Sequence, residues 1–208
     1  MQEKVNIPVT VKCRIGIDEQ DENTALQAFI EPVAQAGCTT FIVHARKAWL
    51  KGLSPKENRD IPPLRYPLVH QIKRENPALN IVINGGIETL DDAVAHLQQM
   101  DGVMIGRAAY QNPALLLQAD SVLFNDASDT PSRHDIVERY LPYIEAQLAL
   151  AVPLHSMTRH ILGLFQGCAG AKRWRRYLSE NSHKPQAGPE VVRNALALVP
   201  DTQATAAA

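Results

Sequence analysis

The 208-residue chain is 45% hydrophobic and 21% charged, with a formal net charge of −1, so global charge names no partner and excludes a protein that is basic throughout. Its three cysteines, Cys13, Cys38 and Cys168, are too few and too scattered for a disulfide framework or a zinc site, which points to a reducing compartment. No signal sequence is visible and no apolar run approaches the roughly 18 residues that a membrane span needs, so a cytoplasmic protein with one core and room for a small second module is expected.

In chain order, IPVTVKCRIG predicts a strand, and a helix follows over about 23–36, ending at Gly37 and bent by Pro32. TTFIVHA is the second strand. A long loop then leads to a helix near 67–76 and to a third strand, NIVING. Thr89 and Asp92 form a capping-box pattern ahead of AVAHLQQM, and GVMIG is the fourth strand. Strands alternating with helices at this pace predict βα units around a parallel sheet. The polar, turn-rich stretch 125–132 (NDASDTPS) marks a boundary, and HDIVERYLPYIEAQLAL, MTRHILGLFQGCAG and AKRWRRYLSEN beyond it read as helices. The division expected is therefore 1–124, a linker at 125–132, a helical domain at 133–200 and a disordered tail at 201–208.

Alternation along each strand sorts side chains onto two faces. Lys12 shares a face with Thr10 and Arg14, opposite Cys13; His44 opposes Val43; Asn84 opposes Ile83. Lys12, His44 and Asn84 each sit at or near a strand's C-terminal end, the edge where parallel βα sheets and barrels bind ligands. Cys13 is expected to face helices in the core. Asn84-Gly85-Gly86 and Gly106-Arg107 end two successive strands on glycine beside a polar side chain. Glycine admits close approach, so backbone N–H groups at both corners can face one anion, with the Arg107 fork suited to phosphate.

The long loop ARKAWLKGLSPKENRDIPPLRY carries Arg46, Lys47, Lys51, Lys56, Arg59 and Arg65 against Glu57 and Asp60, and reads as a shaped, basic segment. From Ala146 to Ser179 there is no acidic residue, while Lys172, Arg175 and Arg176 line one side of a predicted helix. That face, with Trp174 nearby, suits a nucleic-acid backbone.

PVTVKCRIGID, FIVHARKAWL, GLSPKENR, IPPL, INGGI, DGVMIGRAAYQNP, TRHILGLFQG and RWRRYLSEN, in this order from about Val9 to Asn181, resemble the tRNA-dihydrouridine synthases. The likeness is to the bacterial subfamily that acts on D-loop uridines 20 and 20a. It implies an α/β chain forming the C-terminal half (four βα units, strands 5–8) of a TIM (β/α)8 barrel, followed by a small all-helical tRNA-binding domain. It further implies FMN as cofactor and NADPH as reductant, with Lys12, His44, Asn84, Gly85, Gly86, Gly106 and Arg107 at the cofactor and Lys56, Arg59, Lys172 and Arg175 on tRNA. In that family reduced flavin delivers hydride to C6 of an extruded uridine and a cysteine protonates C5. The loop carrying that cysteine corresponds to none of the segments of this chain, so the resemblance implies an upstream half and an isolated chain without synthase activity. Association with that missing half, or self-association through exposed strand edges, is expected. Two other readings fit the residues: a non-enzymatic tRNA-binding remnant, and a small-molecule barrel, either an aldolase with Lys12 as Schiff-base nucleophile or a flavin oxidoreductase of free pyrimidines.

Overall fold

The computed structural model describes residues 1–201, and their contacts divide at Gly106/Arg107 into two compact units. The first carries a four-stranded parallel sheet in the order β1 (Val11–Arg14), β2 (Thr40–His44), β3 (Asn80–Asn84), β4 (Gly102–Met104). Between successive strands lie α1 (Glu22–Gln35), then the short α2 (Glu57–Asp60) with α3 (Tyr66–Glu75), then α4 (Leu90–Leu97). Asp21 caps α1 by accepting from the Asn23 N–H, and α1 runs on through Pro32. The Thr89/Asp92 capping box that starts α4 is formed in both directions.

The register turns the two faces into rows. Val11, Phe41 and Ile81 align, as do Cys13, Val43, Ile83 and Val103. Phe41, Val43, Ile81 and Ile83 are wholly buried, as are Ile30 of α1 and Val69 of α3. Each such side chain contributes about 1.5–3 kcal/mol of burial, so this face is where the unit's stability resides. The opposite face aligns Lys12 with Ile42, Val82 and Gly102, then Arg14 with His44, Asn84 and Met104.

At the N-terminal edge of the sheet, Asp101 accepts from the Ile81 N–H at 2.8 Å and from Lys73 Nζ at 2.8 Å. Lys73 also donates to the carbonyls of Leu79 (2.9 Å) and Pro77 (3.1 Å), which joins the end of α3 to the starts of β3 and β4. Burial alone would raise the Asp101 pKa, but the Lys73 and Ile81 donors outweigh it and hold the carboxyl below its ordinary value.

Helices α3 and α4 also meet through a histidine pair, His70 Nε2 and His96 Nδ1 lying 3.3 Å apart. Burial first, then His96 and Arg74, lowers the His70 pKa; burial lowers that of His96, against a raising effect from Asp92. The unfolded chain therefore binds these protons more readily than the folded one. Stability contributed by the neutral pair is present above the ordinary histidine value of 6.5 and is lost as pH falls through the lower folded values. Urea midpoints are expected to drop between roughly pH 7.5 and about pH 5.5, and His70→Phe to flatten that dependence. An equal pH slope in the variant would show that the pair is not its source.

The second unit is helical: α5 (Arg107–Gln111), α6 (Ala119–Phe124), α7 (Arg133–Ala149), α8 (Leu154–Thr158), α9 (Ala171–Asn181) and α10 (Pro189–Leu196), with a 3-10 segment at Pro113–Gln118. Residues 107–124, grouped with the sheet in the sequence reading, belong by contacts with these helices. MTRHILGLFQGCAG was expected to be helical, but only its first residues are; Gly167 and Gly170 adopt positive φ, and a Cβ at Gly163 would overlap the Gln111 carbonyl. Val137, Leu141 and Ile144 of α7, Trp174 and Leu178 of α9, and Val192 and Ala195 of α10 meet in one core with Phe165. Trp174 is 0% exposed and its Nε1 donates to the Ile161 carbonyl at 3.1 Å, so it is a core residue and takes no place on the exposed cationic face that it adjoins in sequence. No helix among the described residues is long and apolar enough to cross a membrane. The expected disordered tail lies, Asp201 apart, outside the described residues.

Candidate anion and nucleic-acid site

Parallel neighbours bring their C-terminal ends to the same edge, so Asn84 and Met104, paired in register, place Gly85-Gly86 and Gly106 side by side. Adjacent strands run about 4.8 Å apart, within the span of one phosphate group. Asn84 is 8% exposed and its Nδ2 donates to the Met104 carbonyl at 2.7 Å, which ties the two corners together. Gly85 (φ +108°) and Gly86 (φ +69°) both occupy the region that side chains disfavour. The space a Cβ at Gly85 would take is filled by the His44 ring, 3.0 Å away at Cε1, whereas at Gly106 it would meet nothing within 4 Å. One corner is therefore closed by an imidazole and the other is open. Arg107 follows Gly106 directly and opens the second unit as the first residue of α5.

Lys12 lies one row further from the edge than His44 and Asn84, on the same face. Burial first, then Arg14, lowers its pKa, so an anion beside it would relieve the strain on its charge. Cys13 points to the opposite, helix-covered face, where burial pushes its thiol up to about 11.

Arg14 was noted on the Lys12 face but given no role. Its Nη1 donates to the carbonyls of Lys47 (2.8 Å) and Asn58 (2.9 Å), anchoring the long loop to the sheet edge. Arg46 donates to the carbonyls of Asp60 and Pro62 in the same loop. Burial, then Arg46 and Arg59, lowers the Arg14 pKa, the mark of three guanidinium groups gathered in one place. The loop is further fixed by reciprocal bonds between Asn58 and the Trp49 backbone, both 2.7 Å, and by Lys47 over the Trp49 ring at 5.6 Å. Lys56 and Arg59 are held on this frame, with Lys56 exposed and Arg59 on α2.

In the second unit Lys172, Arg173, Arg175 and Arg176 are exposed on α9, because Ala171, Trp174 and Leu178 bury its other side. Arg176 pairs with Glu180 at 2.7 Å. Arg175 and Arg159 line a groove of about 590 Å³ with Tyr110, Gln111 and Gln166. Arg159 Nε donates to His160 Nε2 (3.1 Å), which leaves Nδ1 to carry the proton toward the Tyr110 hydroxyl, also 3.1 Å away. A cationic helix face beside such a groove suits a phosphodiester backbone.

Residues 1–199 match the family described as Dihydrouridine synthase (Dus). The chain is 60% identical over 193 residues to the tRNA-dihydrouridine(20/20a) synthase of Shewanella oneidensis, covering 93% of this chain and 58% of that protein. It is 57% identical over 199 residues to the synthase of the same description from Pasteurella multocida (96% and 61%) and 55% identical over 202 residues to that of Escherichia coli K12 (97% and 59%). The chain thus spans about three fifths of the length of the curated relatives it matches.

Proposed function

Since this chain belongs to the dihydrouridine synthase family, we propose that it supplies the flavin-holding edge and the tRNA-binding helices of a tRNA-dihydrouridine(20/20a) synthase, which reduces D-loop uridines with FMN and NADPH. On this reading the sheet and its helices are the half of a (β/α)8 barrel that carries strands 5–8. The outer edges of β1 and β4, which pair with no strand among the described residues, are where further strands or a second copy would add.

The observation that carries the proposal is the pair of adjacent glycine corners, one open and one lined by His44. Gly85, Gly86 and Gly106 offer backbone donors to the FMN phosphate, Asn84 locks their spacing, and Arg107 adds a guanidinium next in sequence. FMN, when bound, supplies the hydride that the uracil ring accepts. Lys12 sets a positive charge on the flavin face and favours negative charge on the ring; His44 bounds the cofactor and substrate edge. Cys13 takes no part, because its thiol is on the other face. Uridine must leave its stack to be reduced, so tRNA is held by its backbone, with Lys56 and Arg59 from the loop and Lys172 and Arg175 from α9 as the contacts.

Equilibrium binding tests this. The chain is expected to take up FMN in preference to riboflavin and to bind tRNA with a steep salt dependence, whose slope falls by about one for each of Lys172→Ala and Arg175→Ala. Binding of tRNA without flavin would favour a non-enzymatic tRNA-binding protein instead.

A further inference from the structure

Tyr66, the first residue of α3, reaches the glycine corner from outside the sheet. Its hydroxyl donates to the Gly85 carbonyl at 2.7 Å and lies 3.0 Å from where a Cβ on Gly86 would sit. Burial raises the pKa of that hydroxyl, so it remains a donor at neutral pH. The ring stands edge-on to His96 with centroids 4.4 Å apart, and His96 is in turn hydrogen-bonded to His70 one turn along α3.

We infer that Tyr66 is a positioning residue for the anion corner: by holding the Gly85 carbonyl, it turns the Gly86 N–H toward the bound phosphate. The inference rests on the reading that this corner accepts the FMN phosphate. The physical reason is the peptide unit itself. Among the described residues every peptide bond is trans, so the carbonyl of Gly85 and the N–H of Gly86 point in opposite directions. Fixing one fixes the other. A Gly-Gly peptide with both φ values positive has no side chain to resist rotation, and both orientations of the plane are open to it. A neutral hydrogen bond of ordinary strength biases that choice by about fivefold. Among the described residues no acceptor takes up the Gly86 N–H, which leaves it for a ligand. His96, itself bonded to His70, packs against the ring and holds the hydroxyl toward the carbonyl.

Tyr66→Phe removes the hydroxyl and keeps the ring against His96. In a titration followed by flavin fluorescence, the variant is expected to bind FMN about fivefold more weakly and riboflavin, which has no phosphate, unchanged. In the unliganded protein, the carbon-13 shift of the Gly85 carbonyl, which reports the hydrogen bond it accepts, is expected to move upfield while the β3 amides keep their protection from exchange. A merely structural role would weaken both flavins alike. An unchanged FMN-to-riboflavin ratio together with an unchanged Gly85 carbonyl shift would overturn the inference. If the parent chain itself showed no preference for FMN over riboflavin, the phosphate reading of the corner would fall, and the Gly85 carbonyl shift would still decide whether the hydroxyl holds the peptide.

Discussion

Trp174→Ala is expected to destabilise the helical unit by about 3–5 kcal/mol, enough to unfold much of it under conditions where the parent chain holds. Trp174 is fully buried between α7, α10 and Phe165, whose ring meets it edge-on with centroids 4.9 Å apart. Alanine would leave a cavity that rigid helices close only in part, and would strip the Ile161 carbonyl of its 3.1 Å donor. Trp174→Phe refills most of the space but not the hydrogen bond, so its cost falls between the two. Denaturant unfolding followed by far-ultraviolet circular dichroism measures both. The alanine variant should also lose tRNA affinity although no phosphate contact has been removed, since Lys172 and Arg175 are carried by the same helix. A loss below about 1 kcal/mol would mean that the core does not depend on this side chain.

Gly86→Ala is expected to weaken FMN binding by about tenfold or more. At φ +69° an alanine costs on the order of 1–2 kcal/mol in backbone strain, and its Cβ would lie 2.6 Å from Leu64 Cδ1 and 3.0 Å from the Tyr66 hydroxyl. Leu64 can swing its methyl aside; the tyrosine cannot move without releasing Gly85. Relief therefore comes by displacing the corner. Gly52→Ala is the control, because φ there is +84° but a Cβ would meet nothing within 4 Å. It should carry the strain without the loss of flavin. Equal effects from the two substitutions, read by fluorescence titration, would argue that general destabilisation and not the corner's geometry sets the affinity.

Much of the first unit was legible because its code is local. Alternation put Phe41, Val43, Ile81 and Ile83 on one face and Lys12, His44 and Asn84 on the other, and the Thr89/Asp92 box marked a helix start to the residue. The same box at Ser132 and Asp135 starts α7, and the domain boundary expected after 132, with a helix from His134, falls within two residues of it. The apolar stripe of α9, Ala171, Trp174 and Leu178, stands at helical spacing and assigns Trp174 to the core, which the charges of Lys172, Arg175 and Arg176 alone do not reveal. The roles of Arg14, Arg46 and Tyr66 were not legible. They depend on where the chain travels between Ala45 and Arg65, and a path fixed by side-chain bonds to distant carbonyls leaves no periodic trace. Gly163 was hidden for the same reason, since only the approach of Gln111 reveals why it has no side chain.

The clasp of Asp101 and Lys73 sits at the rim of the sheet away from His44 and Asn84. On the proposed reading, endurance and recognition have separate addresses in the first unit. Selection can harden the turn around Pro77 for a hotter habitat without retuning the ligand, and a surface tether or a reporter dye can be attached there while the opposite rim goes on working undisturbed.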